Sequence, residues 1–424
     1  MAEVVGRKYV RRQHVTTAVA HTEIEIDTHL HGADPMLRAM RPRMSVLGVL
    51  VALVAVLASA CSSGSGHSSG PSAHTATTLP SYRLDDTLRL DQVQVLGSHN
   101  SYHGRPYAPV LAALYKSTPG LAQSLDYAHA PLPKQFALGV RQIELDAWSD
   151  PAGGKYAKPS FPIAQGVKIP NNPVMNAPGY KIIHQADVDT NSTCLTLVLC
   201  LGIVKTWSDA HPGHVPMEIQ IEMKDDKVTE PMWAELEREI LSVIPKDNII
   251  TPDDVRGDSP TLGVAVRTHG WPTLGAVRGK VWFALDNEAF RTSYLTGHPS
   301  LEGRLLFTPS TPGEDDAAFA KLNDPIGDGP KIEAALAANM IVRTRADADT
   351  FEARANDKHV ELAALKSGAQ LVSTDYEQPD PTLGNGYVVR MPGGTPARCD
   401  PVTAPRDCTS TDVEDPKLLT VKVR

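Results

Sequence analysis

The 424-residue chain is short of aromatic side chains, at 5%, and its net charge of −8 comes with no extended basic run. Those two shortages remove the usual footprint of nucleic-acid binding, a basic face with interleaved aromatics. Long apolar runs are missing too. The clearest one, residues 46–58, falls short of the ~18–20 residues needed to cross a bilayer. There are five cysteines, and none is spaced as CxxC, which speaks against a thiolate metal site. What remains is 42% hydrophobic, ample for one large folded domain.

The apolar run has a specific setting. It sits in "MLRAMRPRMSVLGVLVALVAVLASAC", where three arginines lead a short apolar core that closes on small residues. That is the pattern of a signal peptide, here residues 36–60. The ending "LASAC" resembles the lipobox of bacterial lipoproteins and makes Cys61 the expected lipidation site, although Ala58 rather than Leu57 stands three places before the cysteine. A signal peptide begins near an N-terminus, so residues 1–35 are expected to be a mis-called start. Residues 61–81, rich in serine and glycine, read as a flexible tether. The protein is therefore expected to be exported, anchored by lipid on the outer face of a bacterial membrane or otherwise secreted. In that compartment paired cysteines oxidise. Cys194 with Cys200 and Cys399 with Cys408 are the expected local disulfides, leaving Cys61 free for lipid.

Eight short apolar, β-branched-rich runs punctuate residues 82–388. They cover residues 93–99, 140–147, 181–184, 215–224, 280–286, 304–310, 340–345 and 369–375. Helical patterns lie between several of them, at 233–244 and at 348–368 with a glycine at its end. Strands alternating with helices predict parallel pairing, and eight units predict a (β/α)8 TIM barrel with one catalytic domain. Residues 389–424 form a tail stapled by the second disulfide.

In that fold chemistry gathers where strands end, and His99, Asn100, Glu144, Asp146, His184 and Glu222 all stand at such ends. In "QIELDAW" Glu144 and Asp146 are two apart, so both point to one face of their strand. Glu222 in "IQIEMK" repeats the pattern. Three converging carboxylates at ~4.5 Å and an effective dielectric of ~20 repel by about 3.7 kcal/mol per pair, about 11 kcal/mol in all. Protonation or a cation must relieve this, and a divalent ion does so most simply. With the Asn100 amide the donors are all oxygen, which favours Ca2+, with Mg2+ second. Zinc competes if both histidines are ligands.

Taken in order, "SHNSYHG", "IELDAWS", "KIIHQADVDTNSTC" and "IEMKDD", with the late segment from Met340 to Glu377, resemble the secreted bacterial calcium-dependent phosphatidylinositol-specific phospholipases C. The resemblance implies that His99 and His184 are the catalytic histidines and that Asn100, Glu144, Asp146 and Glu222 are calcium ligands. It also implies phosphodiester cleavage, with the substrate's own 2-hydroxyl as first nucleophile. His99 is then expected to stabilise the phosphorane and His184 to act as acid and later base, with the roles exchangeable. Lys224, Arg343 and Arg345 are candidate substrate contacts, and each could equally be a salt-bridge partner of the nearby acids. A phospholipid at a membrane surface is the expected partner. No nucleic acid or protein partner is implied, and a monomer is expected.

The histidines at 103, 129, 211, 214 and 269 lie in turn-rich stretches and are expected to be solvated. Two rival functions share the pattern: a glycerophosphodiester phosphodiesterase on the same barrel, and a non-catalytic surface lipoprotein that binds inositol lipids.

Overall fold

Short apolar runs, some alternating with polar residues as in Val140–Trp148 and Met217–Met223 and some wholly apolar as in Val281–Leu285, form strands whose pairing builds a ring. The computed structural model of the chain describes residues 81–419. The expected start, signal peptide, Cys61 and most of the tether lie outside the described residues. The strands are β1 (Val93–Ser98), β2 (Val140–Trp148), β3 (Lys181–Ile182), β4 (Met217–Met223) and β5 (Val281–Leu285). They continue as β6 (Leu306–Phe307), β7 (Phe319–Lys321), β8 (Ile341–Arg345), β9 (Leu371–Thr374) and β10 (Ala397–Cys399). Eight of them run in the order β6-β5-β4-β2-β1-β9-β8-β7, parallel at each ladder. A single parallel bridge from Pro309 to Phe319 brings the two ends together. The result is a nearly closed α/β barrel of eight parallel strands.

One of the eight expected strands is not a barrel strand. Residues 181–184 yield the two-residue β3, which pairs antiparallel with the end of β2, Ala147 opposite Ile182 and Trp148 opposite Lys181. β2 is long enough to project past the ring, and its free edge there takes β3. The missing barrel strand is β7. Its three residues, Phe-Ala-Lys, carry no alternation long enough to read in advance. The expected helix at 233–244 is found as Glu230–Val243, with Trp233, Leu236 and Ile240 buried on one face. The expected single helix at 348–368 is broken into Phe351–Ala355 and His359–Lys366. Asn356, at φ 50°, ends the first piece, a left-handed conformation that asparagine tolerates better than most residues.

The tail does more than cover the barrel. β10 pairs antiparallel with Val93–Val95 of β1, and Glu414 accepts from the buried guanidinium of Arg141 at 2.5 Å. Breaking such a buried pair from one side costs ~3–5 kcal/mol. The disulfides Cys194–Cys200 and Cys399–Cys408 both form.

On β2 the outward Ile143, Leu145 and Ala147 join the main apolar core, as do Ile219 and Ile221 of β4. The residues between them therefore face the barrel interior. The register sets Glu144 beside Gln220 and Asp146 beside Glu222, so two carboxylates from separate strands meet at the same rim. On β1, Gly97 permits a close approach: a Cβ there would lie 1.7 Å from the Gln142 Oε1 atom. Among the described residues, no helix is long and apolar enough to cross a membrane.

Candidate active site

β1 ends at Ser98, and the chain turns at Asn100, whose φ of 48° is left-handed. The turn is pinned to β2, because Ser101 N–H donates to the Glu144 carbonyl at 3.0 Å and its hydroxyl accepts from Glu144 N–H at 2.8 Å. The Asn100 amide donates through Nδ2 to the Tyr127 hydroxyl at 3.1 Å. Its Oδ1 is then left buried without a partner. A buried acceptor without a donor costs ~1–3 kcal/mol, so this oxygen is suited to a cation.

Carboxylate oxygens of Glu144, Asp146 and Glu222 lie within 4.8 Å of one another. Asp146 is fully buried; its Oδ1 has no hydrogen-bond partner, and its Oδ2 faces the Lys224 ammonium. Lys224 Nζ stands 3.1 Å from Asp146 Oδ2 and 3.0 Å from Glu222 Oε1. Arg343 donates to Glu144 Oε2 at 2.6 Å. Burial pushes the Glu144 carboxyl up to about 7 against the pull of Arg343, and the Asp286 and Glu222 carboxylates add to the rise. Burial, then Glu222, hold Asp146 well above the usual range, with Lys224 opposing. The cluster thus has more negative charge than its own cations relieve. With Asn100 at the same rim, these groups fit a hard divalent ion such as Ca2+, and no histidine nitrogen belongs to the cluster.

Two histidines flank it, each held by an aspartate. His99 Nδ1 donates to Asp375 Oδ1 at 2.8 Å, and its Nε2 faces Glu144 Oε1 at 3.7 Å. Burial and the Arg345 guanidinium push its pKa down to about 3, although Asp375 pulls the other way. The ring is therefore neutral, with its Nε2 lone pair free. Burial alone would raise Asp375, but Arg345 and His99 hold it well below the ordinary range. His184 Nδ1 donates to Asp189 Oδ2 at 2.9 Å. Burial pushes the His184 pKa below its ordinary value while Asp189 opposes. β3 carries this histidine in over the rim, and the Trp148 indole fixes the approach by donating to the Ile183 carbonyl at 2.9 Å.

Neither aspartate was singled out from the sequence, although Asp375 closes the run "AQLVSTD" as an acid at a strand end. Asp189 had a weaker signal, an acid five residues after His184. Arg343 is 1% exposed and is also tied to Asn323 and Ser373. Arg345 donates to Asp375 Oδ2 at 2.7 Å. Both arginines are thus engaged with the acids, while the Lys224 side chain remains 19% exposed.

Three histidines expected to be solvated are buried instead: His103, His129 and His214. His103 Nε2 donates to Asp189 at 2.7 Å. His129 sits between Glu377, at 2.7 Å, and the His99 carbonyl, at 2.6 Å. His214 bridges Ser208 and the Val215 carbonyl. Each is buried because a polar partner satisfies it, from a distant segment for His103 and His129 and from near neighbours in the chain for His214. His211 is half-buried and His269 exposed.

A family model described as "Phosphoinositide phospholipase C, Ca2+-dependent" matches residues 88–401. Among solved structures, the chain is similar to the calcium-dependent phosphoinositol-specific phospholipase C of a Gram-negative Pseudomonas species. The two are 17% identical, with a TM-score of 0.47, over 75% of this chain and 98% of that one. It is also similar to the Ca2+-dependent phosphatidylinositol-specific phospholipase C of Streptomyces antibioticus, 18% identical with a TM-score of 0.46, over 72% and 99% of the respective chains. A variant of the Staphylococcus aureus phosphatidylinositol-specific phospholipase C is 13% identical with a TM-score of 0.41, over 73% and 90%. No curated protein matches the chain.

Proposed function

The chain belongs to the Ca2+-dependent phosphoinositide phospholipase C family, whose members are phosphoric diester hydrolases, and we propose that it cleaves phosphatidylinositol to diacylglycerol and an inositol phosphate by way of the cyclic phosphate. One observation carries this reading: two aspartate-held histidines flank an all-oxygen cluster in which Asp146 Oδ1 and Asn100 Oδ1 lack hydrogen-bond partners.

Asn100, Glu144, Asp146 and Glu222 would hold the ion. Bound there, Ca2+ would lower the pKa of the substrate 2-hydroxyl and offset charge building on phosphorus. His99 is suited to accept that hydroxyl proton, since its Nδ1–H is committed to Asp375 and its Nε2 lone pair is free. The hydroxyl oxygen then bonds to phosphorus as the diacylglycerol oxygen leaves. A protonated His184, held by Asp189, would deliver a proton to that leaving oxygen. In hydrolysis of the cyclic product the direction of proton transfer reverses. The depressed pKa of His99 supports this assignment over a resting imidazolium that stabilises the phosphorane. Lys224 is the best placed of the three candidate substrate contacts, because its side chain is 19% exposed against 1% for Arg343 and 12% for Arg345.

The basic lead, apolar core and "LASAC" of the sequence support export and lipidation at Cys61, with a tether at 61–81, a barrel at 82–388 and a tail at 389–424. The test is headgroup release from phosphatidylinositol vesicles, with calcium and with chelator, beside glycerophosphoinositol. Diacylglycerol released only with calcium supports the proposal. Cleavage of glycerophosphoinositol alone would point to a glycerophosphodiesterase. Lipid binding without turnover would point to a non-catalytic lipoprotein.

A further inference from the structure

The two cations that touch the acidic cluster are held very differently. Arg343 is 1% exposed, and Glu144, Asn323 and Ser373 each take one of its contacts. It cannot leave without abandoning a buried carboxylate. Lys224 follows the end of β4, with its backbone N–H fixed to the Ala147 carbonyl at 3.0 Å. Its side chain is 19% exposed, and a lysine ends in a compact charge on a flexible four-carbon stem. Its Nζ lies between Asp146 and Glu222, at 3.1 and 3.0 Å. These are two of the three carboxylates that converge within 4.8 Å.

We propose that Lys224 is an internal counter-cation that competes with the divalent ion for Asp146 and Glu222 and so sets the calcium affinity of the cluster. This rests on the reading that the cluster binds calcium. The charge count gives the reason. Three carboxylates with Arg343 and Lys224 total −1, and a divalent ion added with the lysine in place would make the centre +1. Calcium also needs oxygen lone pairs that Lys224 engages. Swinging Nζ outward removes both penalties. The same movement presents a cation to an approaching phosphodiester, so calcium and substrate would bind with mutual support. The cost is a weaker calcium site than the carboxylates alone would make. The benefit is that buried Asp146 is never left without a cation.

Calorimetric titration of the purified protein with CaCl2, without lipid, tests this on Lys224→Met, Lys224→Arg and Glu222→Gln. Lys224→Met should bind calcium roughly 10- to 100-fold more tightly, equivalent to about 1.4–2.8 kcal/mol. Lys224→Arg, which keeps the charge, should stay near the wild-type affinity. Thermal unfolding in chelator should show Lys224→Met less stable than wild type, with calcium restoring it. Unchanged or weaker calcium binding by Lys224→Met overturns the proposal and leaves Lys224 a structural or phosphate contact. If Lys224→Met does not fold, Lys224→Gln is titrated under the same criterion. Glu222→Gln separates the two ideas. If it weakens calcium binding while Lys224→Met has no effect, only the competition fails. If it leaves calcium binding unchanged, the cluster itself is not the calcium site.

Discussion

Asp375→Asn changes one atom and reaches the proposed chemistry through the His99 tautomer. In the native site the Asp375 carboxylate can only accept, so the His99 proton stays on Nδ1, 2.8 Å away, and Nε2 keeps its lone pair. An asparagine amide can instead donate to Nδ1, which moves the ring proton to Nε2 and removes the base. The equivalent substitution in a serine-protease triad lowers turnover by ~10⁴, and a loss of about 10³–10⁴ is expected here. Stability should fall as well. Arg345 pairs with Asp375 at 2.7 Å with side chains 12% and 2% exposed, and stripping one partner from such a pair costs ~3–5 kcal/mol. Turnover must therefore be measured well below the melting temperature of the variant, with calcium affinity checked alongside. Histidine nitrogen NMR reports the tautomer directly. A folded Asp375→Asn protein that keeps its rate within about threefold of wild type would falsify the assignment of His99 as base.

His184→Ala should lower turnover by about two to four orders of magnitude, the range of a lost acid–base group; near-native rates from vesicle assays would remove it from the mechanism. Asn100→Asp should retain or tighten calcium binding yet lower kcat, as read by calorimetry and vesicle turnover, and unimpaired kcat would refute the need for a neutral ligand. His214 tests linkage away from the site. Burial pushes its pKa down to about 4, so the unfolded chain binds the proton first as pH falls below ~6.5. Its stabilising contribution is present above that pH and is lost between 6.5 and 4, by about 3 kcal/mol. His214→Gln should flatten chemical-denaturation stability across that window, and an unchanged slope would contradict the buried neutral ring.

The strands that carry the site were legible because their signal is local. In β2 and β4 apolar residues alternate with polar ones, acids among them, over six and seven positions, which fixes both the strand and the face its carboxylates share. β7 lacked that length. β3 was read as a strand correctly but as part of the ring wrongly, because a short apolar run does not reveal whether its partner is parallel. The histidines divide the same way. Their places at strand ends could be read, yet their orienting acids could not. Asp375 is 276 positions from His99, and Glu377 is 248 from His129, far beyond any helix or strand period. Burial of His103 and His129 follows from Asp189 and Glu377, 86 and 248 positions away, so turn-rich flanks pointed the wrong way.

The charge of the site also changes meaning once its neighbours are included. From sequence the three acids alone total −3, and a bound divalent ion would leave −1, still repelling a phosphodiester. Arg343 on Glu144 and Lys224 on Asp146 and Glu222 raise the formal total to −1. The same ion brings the total to +1, and the Lys224 charge, once it has moved off the carboxylates as proposed, is the part that faces the anionic substrate. Asn100 fits this balance. An aspartate there would return the loaded site to zero and remove the attraction, even if it held the ion more firmly. The Tyr127 hydroxyl, 3.1 Å from Asn100 Nδ2, turns the amide so that its oxygen, the end useful to a cation, is the one without a partner. A neutral ligand with a fixed oxygen can thus hold the ion while leaving a net charge that draws the phosphate in.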